Sequence, residues 1–300
     1  MPQWIVAADG SGDYVSIQDA IDAVRVHQEE PHELYIKKGV YREKVVVPDN
    51  KPMIRLIGES REETVLTYDL CAAMTGPDGK TIGTFGTPTL MVAADDFRAA
   101  NITIANTAGH GPHIGQALAV YASGDRIVFD RRRLLGNQDT LYTAKGRQYY
   151  RNCFIEGHVD FIFGAATALF EDCEISSLRG GYIAAPSTTR ETRYGYVFRN
   201  CRLTGPAEEE TVFLARPWRP YGQTVFIDTW MGAHIKGEGW NNWRDPNNER
   251  TARFAEYGDR GPGAKPDRRA AWAGTLSAEE AAGLTAEVLF AAPVPWDPAI

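Results

Sequence analysis

The 300-residue sequence contains no run of about 20 consecutive apolar residues, so no segment is predicted to span a membrane. It also has no long run of basic residues, and its formal net charge of −7 argues against a nucleic-acid partner. The chain does not open with a basic segment followed by an apolar one, so no signal peptide is visible. Two interpretations remain open: a cytoplasmic protein that starts at Met1, or a secreted protein whose leader has been removed.

Cysteines are few, and none of them is arranged as Cys-x-x-Cys. The four are Cys71, Cys153, Cys173 and Cys201. The lack of a Cys-x-x-Cys pair argues against a zinc site. The sequence has no Gly-x-Ser-x-Gly motif either, which argues against a serine hydrolase. The chemistry must therefore be sought among other residue types.

Two further motifs are incomplete. Gly76–Thr81 ends like a phosphate-binding loop, but Met74 stands where the first glycine is needed and no helical pattern follows, so we predict a surface loop. His110 and His113 lie on a Gly/Pro turn with no third ligand spaced nearby, so we predict a loop near a cleft. We therefore expect neither a metal nor a cofactor.

Short apolar runs rich in Val, Ile, Phe and Tyr recur throughout the chain, and Gly, Asn and Asp separate them. Each has the length of a β-strand, which predicts an all-β fold. The clearest runs are Trp4–Ala7, Leu34–Ile36, Val45–Val47, Ile54–Ile57, Ile127–Phe129, Phe161–Phe163, Tyr196–Phe198, Val212–Leu214 and Val225–Ile227.

A quasi-repeat underlies these strands. The segment from Cys153 to Gly157 matches the segment from Cys201 to Gly205, and Cys173 and Arg132 occupy the same frame in intervening and earlier copies. Asn101 begins a plausible copy further upstream. A period of roughly 20–30 residues with three short strands predicts a parallel β-helix, in which equivalent residues stack about 4.8 Å apart. We predict that the repeating cysteines pack inside the solenoid and form no disulfide.

We predict a single domain over residues 1–300 with short helical caps, because a solenoid leaves open ends. Ser16 is placed to cap a helix over residues 16–24, whose apolar side chains share one face. Ser277 and Glu280 form a capping-box pattern that predicts a second helix over about 277–290.

The spacing of two aspartates points to a functional site. Asp139 and Asp160 are separated by the same interval as Arg132 and Cys153, so they are expected on adjacent coils nearly in register. Gln116 precedes Gln138 by almost the same interval, one coil further back. Two stacked carboxylates resist simultaneous ionisation, which gives one acid and one nucleophile, and amide donors suit an oxyanion. A polar ladder that only stabilises the turns is the alternative.

Aromatic residues near these positions are candidates for a sugar-binding groove, because aromatic faces stack on the apolar faces of sugars. Taken alone, each such residue is more often found in the core than in a groove. The candidates are Tyr121, Tyr142, Phe161, Phe163, Trp218, Trp240 and Trp243.

At these motifs the chain strongly resembles the pectin methylesterase family. The similarity runs from about residue 5 to Trp243, and the order and spacing of five motifs make it specific. The matching stretches are Gly39–Glu43, Gln116–Val120, Gly136–Tyr142, Asp160–Gly164 and Leu214–Trp218.

The resemblance implies a right-handed parallel β-helix and a metal-free reaction on methyl-esterified homogalacturonan or oligogalacturonides. Asp160 is the implied nucleophile, Asp139 the acid and then the base, and Gln116 and Gln138 the oxyanion donors. Arg216 is expected to keep Asp160 ionised. Substrate contacts are implied at Tyr121, Tyr142, Phe163 and Trp218. A monomer is the default expectation.

Three departures from the family pattern put efficiency in doubt more than reaction type. They are Ala215 in place of Gly, Arg131–Arg133 in place of an Asn-Cys pair, and Val120 in place of Leu. The rival interpretations are a related thioesterase, a polyuronate lyase with calcium and a basic proton abstractor, and a β-helix that only binds polysaccharide.

Overall fold

A computed structural model, which describes residues 3–299, consists mainly of parallel strands in two sheets. Numbered in chain order, the strands of the 11-stranded sheet are β1 Gln3–Val6, β2 His32–Ile36, β5 Ile54–Gly58, β8 Arg98–Ala100, β11 Ile127–Asp130, β14 Arg147–Arg151, β16 Thr167–Glu171, β18 Tyr196–Arg199, β21 Gln223–Ile227, β23 Arg253–Tyr257 and β24 Gly274–Thr275. The 13-stranded sheet contains β3 Gly39–Arg42, β4 Val45–Val47, β6 Thr64–Tyr68, β7 Leu90–Val92, β9 Thr103–Asn106, β10 Val120–Ala122, β12 Arg133–Leu135, β13 Leu141–Thr143, β15 Phe154–Gly164, β17 Glu174–Pro186, β19 Arg202–Thr204, β20 Val212–Ala215 and β22 Trp230–Met231.

The second sheet bends so that each coil has three faces. The start of β15 pairs with β12, and its end pairs with β13. The ladder between β15 and β17 has register shifts between Gly157 and Ile162, where the strand bends. Every ladder is parallel and joins one coil to the next, as in β11, β14 and β16. The predicted parallel β-helix is confirmed.

Stacked aromatic rings fill much of the interior. Phe129, Tyr150, Phe170, Phe198 and Phe226 occupy equivalent positions on successive coils and are fully buried. Their ring centroids are 4.5–5.3 Å apart and adjacent planes lie within 11°. The coil repeat thus places like residues in contact, which is how a solenoid builds one continuous core.

A second inward column contains the repeating cysteines. Cys153, Cys173 and Cys201 are free and buried, and each thiol lies 3.4 Å from a carbonyl oxygen of the preceding coil. The predicted packing role is confirmed. Arg132 occupies the same column one coil earlier and is completely buried, as the quasi-repeat requires.

The predicted helices differ in extent. Helix α1 covers Ile17–Ala23, and the Ser16 hydroxyl accepts a hydrogen bond from the Asp19 amide. A short helix that was not expected, α2, covers Asn248–Thr251. The helix expected over 277–290 is two short helices, α3 Ala278–Gly283 and α4 Ala286–Leu289. The first ends at Gly283, and the Thr285 hydroxyl caps the second by accepting a hydrogen bond from the Val288 amide.

The C-terminal helices lie on the outer face of the 11-stranded sheet, so the predicted end cap is wrong there. Leu289 and Phe290 pack with Val128, Tyr149 and Leu169, which point outward from that sheet. Apolar residues on both faces of the sheet account for this cover. No helix within residues 3–299 is long and apolar enough to cross a membrane.

Candidate active site

The two aspartates singled out by their spacing lie side by side on adjacent coils. Strand β13 pairs with the end of β15 so that Leu141 faces Ile162, which puts Asp139 in register with Asp160. Both residues have left-handed backbone conformations, with φ of 64° and 50°. Aspartate tolerates this conformation better than most residues. The two side chains therefore leave the bend of the sheet at equivalent points.

The predicted glutamines join the aspartates in one cleft of about 350 Å³. Gln116, Gln138, Asp139 and Asp160 all line it. The Ala117 amide donates to the Gln138 carbonyl at 3.2 Å, which aligns the two glutamine-bearing segments on adjacent coils. The structure thus brings together the whole polar column expected from the spacing.

Arg216 is fixed both by hydrogen bonds and by two aromatic rings. Its Nε and Nη2 donate to the two carboxylate oxygens of Asp160 at 2.8 and 2.6 Å. The guanidinium carbon lies 3.8 Å from the ring centroids of both Tyr182 and Trp243. A bidentate pair held between rings has little freedom to turn, so Asp160 is oriented as well as neutralised.

The environments of the two carboxyl groups drive their pKa values apart. Burial and the negative charge of Asp160 raise the pKa of Asp139 well above its usual range. Burial also raises the pKa of Asp160, but the hydrogen bonds and charge of Arg216 oppose that rise. Because the guanidinium binds Asp160, we assign the shared negative charge to Asp160 and the proton to Asp139.

An aromatic wall borders the polar column. Tyr121, Tyr142 and Phe163 stand in register on successive coils, with ring centroids 4.8 and 4.6 Å apart. Trp218 lies edge-on to Phe163, with the ring centroids 5.7 Å apart, and the side chains of Trp218 and Phe163 line the cleft. Tyr121 and Tyr142, on the two preceding coils, are partly buried and belong to the same apolar cluster. The four predicted contact residues thus form one surface.

Two of the seven aromatic candidates lie elsewhere. Phe161 is fully buried, because it follows Asp160 on the strand and points inward. Trp240 is 2% exposed and stacks on Phe254 in the core. Trp243 does line the cleft.

Two residues of the site have no clear signal in the sequence. Phe85 lies on a turn between strands, is 48% exposed, and approaches the ring of Tyr142 at 4.9 Å. Tyr182 supports Arg216 from strand β17. Only the folded coils show that Phe85 lines the cleft and that Tyr182 contacts Arg216.

The departures and incomplete motifs have simple structural outcomes. Ala215 and Val120 are buried in strands, and Arg216 reaches Asp160 with the extra methyl group in place. Thr75 and Thr81 form an isolated antiparallel bridge, so Gly76–Thr81 is a small surface turn. Within residues 3–299, no group of three or more His, Cys, Asp or Glu residues is placed to hold a metal.

Fold and cleft together define a carboxylic ester hydrolase built on a parallel β-helix. The family profile of pectinesterases matches residues 3–292. Pectinesterase 31 of Arabidopsis thaliana is 42% identical over 92% of this chain and 88% of that protein. The chain therefore belongs to the pectinesterase family.

Solved structures agree with this assignment. Pectin methylesterase from carrot superposes with a TM-score of 0.88 at 33% identity, covering 96% of this chain and 93% of that one. A pectin methylesterase in complex with a hexasaccharide gives a TM-score of 0.87 at 32% identity, covering 99% of this chain and 98% of that one. The family resemblance read from the motifs is confirmed.

Proposed function

We propose that this protein hydrolyses the C6 methyl esters of galacturonate units in pectin or its oligomers, releasing methanol and free galacturonate. The observation that carries the proposal is the bidentate Arg216–Asp160 pair beside Asp139 in an open cleft. The pectinesterase relatives and the hexasaccharide complex of a related enzyme support the substrate class.

In the first half-reaction, a carboxylate oxygen of Asp160 attacks the ester carbonyl carbon. The side-chain amides of Gln116 and Gln138 donate hydrogen bonds to the oxyanion that forms. As the intermediate collapses, Asp139 gives its proton to the methoxy oxygen and methanol leaves. The product is an acyl-enzyme, a mixed anhydride between Asp160 and the galacturonate.

In the second half-reaction, Asp139 acts as base. It takes a proton from a water molecule that attacks the galacturonyl carbonyl of the anhydride. The Asp160 carboxylate leaves and returns to its pair with Arg216, and the galacturonate is released as the free acid. Asp139 ends protonated, as it was at the start, so the cycle closes.

The aromatic wall supports a carbohydrate substrate. Tyr121, Tyr142, Phe163 and Trp218 offer ring faces and edges beside the carboxylates, where a sugar ring has apolar faces to cover. A thioesterase with the same residues would show its preference in the ratio of rates on oxygen and sulfur esters.

The decisive experiment measures methanol release from highly methylated pectin by the protein and by its Asp160→Asn variant. We expect release by the unchanged protein and loss of at least about 10³-fold in the variant, because the nucleophile is gone. A lyase would instead produce an ultraviolet-absorbing unsaturated sugar. A pure binding protein would release no methanol, and its affinity would survive replacement of Asp160 by Ala.

Oligomeric state and location belong to the same proposal. We expect a monomer, which sedimentation at several concentrations tests directly. Preference for short methylated oligomers over polymer would fit a cytoplasmic protein, and the reverse preference a secreted one. Comparing kcat/KM on the two substrates tests these expectations.

A further inference from the structure

A second carbohydrate-sized surface lies outside the cleft, on the face formed by β12, β15, β17, β19 and β22. One residue from each strand stands in register along the solenoid axis, and an isolated bridge from Trp230 on the last strand adds Arg260. We call this column the arginine–aromatic strip. Its members are Arg133, Phe154, Glu174, Arg202, Trp230 and Arg260.

The strip faces solvent. The next residue on each strand points inward and is fully buried, as for Leu134, Ile155 and Leu203. Strip residues such as Arg202 are exposed or partly exposed. Five steps from Arg133 to Arg260 give a length of about 24 Å at the strand spacing of a parallel sheet. A pyranose ring is close in length to one such step, so several sugar units fit along the strip.

Two arginines of the strip rest on aromatic rings and keep their hydrogen-bond donors unused. The guanidinium carbon of Arg133 lies 5.5 Å from the ring centroid of Phe154, and that of Arg202 lies 4.8 Å from that of Trp230. Neither guanidinium forms an ion pair or a hydrogen bond with another part of residues 3–299. An arginine held by its face presents the donors at its edge, which match a carboxylate.

Grooves flank Arg202 on both sides. One of about 440 Å³ is shared with Phe154 and Glu174, and one of about 350 Å³ is shared with Trp230 and His234. His234 is 4% exposed, and its Nε2 has no hydrogen-bond partner among the described residues. His234 therefore adds a buried imidazole to the wall of the second groove.

The charges on the strip suit a partly de-esterified polymer. The strip itself contains three arginines and one glutamate, in a chain whose formal net charge is −7, and Glu62 and Glu156 interact electrostatically with Arg133. Asp172 and Glu209 also line the grooves, where carboxylates accept hydrogen bonds from sugar hydroxyls. A polymer that carries both free carboxylates and neutral esterified rings matches this mixture of arginine, carboxylate and aromatic surface.

The strip runs parallel to the cleft. Phe154 and Asp160 lie six residues apart on strand β15, so at most about 20 Å of backbone separates the two surfaces on that coil. A long chain is therefore able to contact both surfaces, whereas a short oligomer occupies only one.

We propose that the arginine–aromatic strip is a second binding site for partly de-esterified homogalacturonan, which holds the polymer while the cleft acts on it. The proposal rests on the function proposed above. Binding at a second site raises the effective concentration of the polymer near the cleft without changing the chemistry. It therefore affects KM for polymer and leaves kcat and the kinetics of short substrates alone.

The test compares an Arg202→Gln/Trp230→Ala double variant with an Arg25→Gln control, which removes the same charge from an exposed position near helix α1. Methanol release is measured on block-de-esterified pectin and on a short methylated oligogalacturonate. We expect the double variant to raise KM for the polymer about tenfold, with kcat and the short-oligomer kinetics unchanged. The polymer advantage should shrink at high salt.

A second readout does not depend on turnover. Retardation of the protein in gels containing fully de-esterified polygalacturonate should weaken in the double variant and stay unchanged in the Arg25→Gln control. The second site would be overturned if the double variant left both KM for the polymer and the retardation unchanged, or if the control showed equal effects. The proposed function would still stand in that case, provided that the parent protein releases methanol. If the parent releases no methanol from either substrate, the proposed function fails and retardation alone decides the strip.

Discussion

Replacing Arg132 by Met should stabilise the protein, because the native side chain is a buried cation with few partners. Arg132 is completely buried in the column that the cysteines continue. Its Nη2 donates to the Leu56 carbonyl at 2.9 Å, whereas Nε and Nη1 have no partner among residues 3–299. Burial lowers the pKa of the Arg132 guanidinium well below its usual range.

The magnitude follows from two opposing terms. Replacing a buried ion by an apolar side chain of similar size typically stabilises a protein by about 1–4 kcal/mol. Methionine keeps the unbranched, flexible stem of arginine and fills irregular space well, although it is shorter, and one hydrogen bond worth about 1 kcal/mol is lost. We expect Arg132→Met to raise the free energy of unfolding by up to about 3 kcal/mol.

Urea denaturation followed by tryptophan fluorescence measures the change, with Arg133→Met as the matched control. Arg133 is the next residue, loses the same charge and points outward, so its replacement should stay within about 0.5 kcal/mol. An Arg132→Met variant less stable than the parent by more than about 1 kcal/mol would refute the reasoning. That result would mean that ordered water satisfies the guanidinium and that the buried charge carries no penalty.

Three further predictions concern the cleft. Methanol release should fall at low pH, because Asp160 becomes protonated, and at high pH, because Asp139, whose pKa is raised, loses the proton that it must donate. A flat pH profile of kcat would contradict the acid–base assignment. Replacing Arg216 by Ala should move the acidic limb of the pH profile to higher pH, because the guanidinium lowers the pKa of Asp160. If the acidic limb stayed at the same pH, the pair with Arg216 would not control the ionisation of Asp160. Gln116→Leu should lower kcat about 10²–10³-fold with little change in KM, and a change confined to KM would assign that residue to binding instead of oxyanion stabilisation.

The polar column was predictable because the coil period is short and local. The chain makes one coil between Arg132 and Cys153, and Asp139 and Asp160 keep that same separation. In a parallel β-helix, equal spacing means vertical stacking, so sequence arithmetic gives the spatial neighbours directly. The same logic placed the cysteine column correctly.

The rest of the site was not predictable because coil lengths vary. Val159 pairs with Tyr182 and Tyr182 pairs with Phe213, and the second of these intervals along the chain is considerably longer than the first. With unequal coils, no fixed interval identifies which aromatic residue will meet Arg216. The position of Phe85 is even harder to predict, because this residue lies on an irregular turn whose path depends on tertiary contacts.

The turns show why the aspartates alone do not settle a function. The turn before the cysteine column contains residues with φ of 52–56°, all but one of them Asn or Asp, and none of these lines the active-site cleft. The residues are Asn101, Arg131, Asn152, Asp172, Asn200 and Asp228. Asp139 and Asp160 have the same left-handed backbone, so backbone geometry equally favours a turn-stabilising ladder. What separates the two interpretations is Arg216, which is far from its partner Asp160 along the chain and is clamped between two rings. A turn ladder has no use for a guanidinium fixed in that way, whereas a nucleophile that must stay ionised in a buried site does.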